Sequence, residues 1–104
     1  MPEIEVEIIR YVDDAQPGWV ECHFTDAARH EHVVIDKVPL FTALALDAAS
    51  QYPVRGTMGC REVGRRHDAD GREIVTIDTE EPDHIASTSG QTRFDVVAVQ
   101  LVEA

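Results

Sequence analysis

From Glu3 to Ile8 the chain alternates strictly, with Ile4, Val6 and Ile8 on one side and Glu3, Glu5 and Glu7 on the other. A period of two is the mark of a half-buried β-strand. The alternation fails at Ile8-Ile9, where apolar groups fall on both sides, which predicts a bulge or a closing seam. Asp13-Asp14 and Pro17-Gly18 then supply a turn. Two further strands are predicted, about Trp19 to Thr25 and His30 to Val38, joined by a short loop at Asp26-Ala27-Ala28-Arg29. A turn centred on Ala27-Ala28 sets His23 opposite His32. It also puts Val20, Cys22 and Phe24 on one face with Val33 and Ile35, leaving Glu21, His23, Thr25, His30, His32 and Asp36 on the other, with Trp19 and Val34 as its apolar members.

Between Pro39 and Pro53 the period changes. Phe41, Leu44, Ala45 and Ala48 have helical spacing in an Ala- and Leu-rich segment, so a short helix competes with an irregular crossover. Val54 to Arg66 reads as a long strand interrupted by Gly56, Gly59 and Gly64, glycines that mark bends where a sheet turns a corner. Asp68-Ala69-Asp70-Gly71 is a hairpin turn into the β-prone run Ile74-Val75-Thr76-Ile77. A polar loop from Glu80 to Gln91 precedes a last strand, about Thr92 to Val102. Its Val96-Val97-Ala98-Val99 is apolar on both faces and predicts a central position. The expected fold is mainly β: one domain over residues 1–104, a small five- to six-stranded antiparallel barrel with at most one short helix.

Length and composition agree with that reading. The chain has 104 residues, 43% hydrophobic and 28% charged, enough for one core without metal or disulfide staples. No apolar run approaches the roughly 20 residues that span a bilayer. The acidic start Met1-Pro2-Glu3-Ile4-Glu5 lacks the basic and apolar stretches of a secretory signal, so a cytoplasmic location is expected. Cys22 and Cys60, without CxxC spacing, read as buried free thiols.

Charge changes the picture more. The net charge is −11, a field that disfavours phosphate backbones and with them nucleic acid. It is uneven: residues 1–53 carry −7, residues 73–104 carry −6, and residues 54–72 carry +2 through Arg55, Arg61, Arg65, Arg66 and Arg72. These arginines either pair with acidic neighbouring strands or form a contact for an anion.

Candidate chemistry is sparse. With His23 opposite His32, His30 and Glu21 point the same way, a set of three imidazoles and a carboxylate suited to a divalent metal, zinc foremost. The plainer reading is polar surface on a solvated strand. Asp68-Ala69-Asp70-Gly71 lacks the further oxygen ligands of a calcium loop and reads as a turn. No serine lies in a nucleophile elbow, no glycine loop cradles phosphate, and Lys37 is the only lysine, so no catalytic residue and no cofactor other than a metal is expected. Trp19 either packs against the Phe41–Leu46 segment or anchors a protein partner, and Glu3, Glu5 and Glu7 offer an acidic strand to such a partner.

Gly18-Trp19-Val20-Glu21-Cys22, Asp36-Lys37-Val38-Pro39 and Asp70-Gly71-Arg72-Glu73 together resemble a group of short bacterial proteins to which no activity is assigned. The resemblance implies a stand-alone cytoplasmic protein and carries over no functional residue. The expected function is therefore a non-enzymatic acidic module that binds protein, an inhibitor- or immunity-type partner of a basic toxin being one concrete form. A metal-binding protein is the alternative, and an oligonucleotide-binding barrel the third reading.

Overall fold

The chain, described over residues 1–103 by a computed structural model, is mainly β, with eight strands in two antiparallel sheets. They are β1 (Pro2–Asp13), β2 (Trp19–Thr25), β3 (Glu31–Lys37), β4 (Val54–Gly59), β5 (Arg61–His67), β6 (Glu73–Asp78), β7 (Arg93–Val97) and β8 (Leu101–Glu103). The larger sheet has the order β3-β2-β1-β4, with β8 beside the start of β1; the smaller has the order β5-β6-β7.

β1 is the spine. Its residues Glu3 to Ile8 pair with β4 on one edge, while β8 and β2 follow one another along the other. The alternation in β1 buries Ile4, Val6 and Ile8 and turns the glutamates outward. The predicted bulge is present: the pairing with β2 jumps from Ile8 to Arg10, leaving Ile9 as the extra residue. The second sheet lays Val75, Ile77, Phe94 and Val96 against this face, and Met58, Cys60 and Ile85 complete the core. Burying each aliphatic side chain of this kind contributes roughly 1.5–3 kcal/mol before ordering costs.

The Val54–Arg66 run is not one strand. It crosses from one sheet to the other at Cys60, whose N–H donates to the Pro2 carbonyl at 3.1 Å. The two sheets do not close into a barrel. Edges are capped by loop backbone instead: Thr57 N–H donates to the Phe41 carbonyl, Thr88 N–H to Val33, and Ala27 N–H to Asp95. The segment after β3 holds a single 3-10 turn, Val38–Leu40, and then runs irregularly, so of the two alternatives, short helix and irregular crossover, the crossover is the one formed. Phe41 is buried, and Leu40, Leu46 and Tyr52 pack against the core.

The last segment also differs from expectation. β7 is an edge strand, the run breaks into a 3-10 turn at Ala98–Gln100, and Val99 is exposed. Gln100 makes the break: its Oε1 accepts from Val97 N–H at 2.8 Å and its Nε2 donates to the Thr25 carbonyl at 2.7 Å. No described helix is long and apolar enough to cross a membrane.

Candidate functional site

The β2–β3 turn decides what the histidines can do. Arg29 adopts a left-handed backbone with φ of 66°, and Asp26 and His30 close the loop through Asp26 N–H to the His30 carbonyl at 2.9 Å. Ala27, Ala28 and Arg29 thus form a three-residue loop, a type I turn followed by a left-handed residue. The extra residue shifts the register by one from that expected. His23 now faces Val33, and His32 faces Phe24. Val34, 1% exposed, takes the core position expected of Val33 and Ile35, while Ile35 is 36% exposed.

The proposed metal set of His23, His30, His32 and Glu21 is therefore taken apart, because a one-residue shift sends His32 through to the other face. The His32 ring lies between Phe24 and Phe94, at centroid distances of 5.4 and 4.8 Å, and its Nε2 meets Asp26 Oδ2 at 2.8 Å. His30 sits exposed in the loop. Among the described residues no three His, Cys, Asp or Glu side chains are placed to hold a metal ion. Asp26 also accepts from the Ala28 and His30 N–H groups on Oδ1. Burial raises the Asp26 pKa, but the bonds from His32 and the two amides outweigh it and hold the carboxyl below its ordinary value.

What the structure does assemble is an acidic face. Residues opposed across strands point to one side, so Glu3, Glu5 and Glu7 of β1 share the outward face of the larger sheet with Glu21, His23 and Trp19 of β2 and Glu31 of β3. Arg10 pairs with Glu21 at 2.9 Å, and Arg55 lies 3.5 Å from Glu5. His23 meets Glu21 at 2.6 Å and lies 3.5 Å from Glu31. The bond from His23, followed by Arg10, holds Glu21 below its ordinary pKa. Glu5, Glu7, Glu31, His23, Arg55 and Gln100 line a groove of about 300 Å³ on this face. Trp19 carries the Lys37 ammonium over its ring at 4.9 Å.

No protein-family model, curated protein or solved structure matches this chain.

The arginine-rich arm divides. Arg65 is bound by Glu62 of its own strand and by Glu73 of β6, both at 2.7 Å, the second being the expected pairing with an acidic neighbouring strand. Arg66 and Arg72 instead turn with Arg93 toward a second cleft, on the outward face of the smaller sheet. Sequence reasoning missed Glu31, Arg93 and Asp95 as members of these surfaces. Glu31 opens β3, and Arg93 and Asp95 stand two apart on β7, so only cross-strand pairing reveals their neighbours. Cys22 and Cys60 are both fully buried free thiols, and burial pushes them up to about 12 and about 11.

Proposed function

We propose that this chain is a non-enzymatic acidic protein-binding module that presents the outward face of its larger sheet to a basic partner. The observation that carries the reading is the groove in which Glu5, Glu7 and Glu31 surround His23, with Glu3 and Glu21 on the same face. A groove of about 300 Å³ accepts one or two long basic side chains, whose aliphatic stems lie along the strand while the head groups meet carboxylates. Arg10 and Arg55 neutralise Glu21 and Glu5 in part, and Glu3 and Glu7 remain for the partner. Trp19 lies further along the same face, opposite Asp13, and adds an aromatic side chain of the kind that anchors interfaces. An inhibitor- or immunity-type role toward a basic enzyme fits this chemistry, and a cytoplasmic setting keeps the two buried thiols reduced. Nucleic acid fits less well, because a net charge of −11 repels phosphates at long range.

A lysine-rich decapeptide serves as the probe, titrated into the isotopically labelled protein and followed by NMR. The reading expects shifts concentrated at Glu5, Glu7, His23 and Glu31, weakening as salt rises. Replacing Glu5, Glu7 and Glu31 together by glutamine should lower the affinity about tenfold or more. Shifts scattered evenly over the surface, or an affinity indifferent to salt, would sink it.

A further inference from the structure

The outward face of the smaller sheet has a different chemistry from the acidic one. Arg61, Asp78 and Arg93 form one cross-strand row, and Gly64, Thr76 and Asp95 form the next. The β2–β3 turn leans over this face: Ala27 N–H donates to the Asp95 carbonyl at 2.8 Å, and Arg72 Nη2 donates to the Ala27 carbonyl at 3.1 Å. A cleft of about 470 Å³ results, with Ile74 and Thr76 at its base and Arg66, Arg72 and Arg93 around it.

By formal charge Asp26, Asp68 and Asp95 balance these guanidinium groups. Hydrogen bonding separates the two sets. Asp26 and Asp68 each accept two backbone N–H groups on Oδ1, and on Oδ2 they accept from His32 and Arg72 respectively. Asp95 accepts the Thr76 hydroxyl on Oδ1 at 2.6 Å and meets Arg66 on Oδ2 at 3.3 Å. Every carboxylate oxygen lining the cleft is thus engaged within the chain. The arginines are not used up in the same way. A guanidinium has five N–H donors. Arg66 uses only Nη2, on Asp95, and Arg93 uses only Nε, on Asp78 at 3.1 Å, among the described residues. Both side chains are more than half exposed. A cleft whose acceptors are occupied and whose donors are not selects an acceptor.

We propose that this cleft binds the oxyanion group, phosphate or carboxylate, of a small organic anion, held by the free guanidinium edges of Arg66 and Arg93. The net negative charge of the chain does not forbid this, because screening over about 8 Å at physiological salt removes most of the distant repulsion. The proposal is independent of the acidic groove, which lies on the other sheet.

The test titrates inorganic pyrophosphate and, separately, citrate into the whole protein at constant ionic strength, reading the arginine Nε–H signals and the Thr76 and Gln91 amides by NMR. A saturable response to either, with a dissociation constant of about 1 mM or tighter, is expected, and the responding probe distinguishes phosphate from carboxylate. Arg66→Gln combined with Arg93→Gln removes two exposed charges and should weaken binding at least about tenfold. Ala28→Leu tests the volume instead of the charge. Ala28 lines the cleft from the exposed β2–β3 turn, so a leucine there has solvent to extend into and narrows the cleft. No saturable response to either probe, or binding undiminished in either variant, overturns the proposal.

Discussion

Replacing Asp26 by alanine tests the turn on which the histidine arrangement depends. The side chain is 14% exposed and accepts three hydrogen bonds: from Ala28 N–H at 2.9 Å, His30 N–H at 3.0 Å and His32 Nε2 at 2.8 Å. The two amides lie in an exposed turn and can return to water, so each loss costs about 0.5–1 kcal/mol. His32 is as buried as Asp26 and wedged between two phenylalanines, so losing its partner costs about 1–3 kcal/mol. The expected loss is about 2–5 kcal/mol. For a domain of this size each kcal/mol moves the Tm by about 4–8 °C. Urea unfolding followed by the fluorescence of Trp19, with an unchanged slope, gives the free energy directly. Asp26→Asn keeps an acceptor for the amides and should lose only about 1 kcal/mol.

The pH dependence supplies a second arm. The folded carboxyl lies below its ordinary value, so its contribution is fully present above the unfolded pKa of about 3.9 and is lost as pH falls through the folded one. The gap between wild type and Asp26→Ala is therefore open at pH 7 and closes progressively below about pH 4. A variant within about 0.5 kcal/mol of wild type at pH 7, or a gap that persists unchanged into acid, would refute the account.

Two further outcomes follow from the backbone. Val34→Ala should cost about 2–3 kcal/mol and Ile35→Ala under about 1 kcal/mol, measured by the same unfolding assay. The reverse order would restore the register that sets His23 against His32. Gly71→Ala should cost about 1 kcal/mol through its φ of 81° alone, since a Cβ there meets nothing within 4 Å; a neutral result in thermal melts would mean the turn adapts freely.

Much of the local structure was legible in the chain. The alternation of Glu3 to Ile8 set the buried face of β1, and the failure at Ile8-Ile9 marked its bulge. Asp68-Ala69-Asp70-Gly71 declared its turn because glycine at the fourth position suits a left-handed backbone. The equivalent turn at Asp26 hid the same geometry, because Arg29 stands where its counterpart has glycine, and nothing in arginine's chemistry announces φ above zero. Both aspartates accept two amides on one oxygen, so in retrospect the shared Asp-Ala opening was the one available signal.

Periodicity, charge and turn residues act over a few neighbours, and so the sequence by itself determined a mainly β chain, the faces of β1 and the free thiols. Strand register and the partners of single charges depend on residues far apart along the chain, and only the tertiary structure decided them. One residue in a loop moved His32 from an outward cluster into an aromatic wedge. The assignment of Cys60 as a crossing point, instead of mid-strand, split the fold into two sheets with two outward faces. On one of these, glutamates from three strands gather, and on the other arginines from strands and a turn gather around a cleft. Neither set is contiguous in the sequence, because side chains that meet across a sheet are joined by backbone hydrogen bonds and share no short-range pattern.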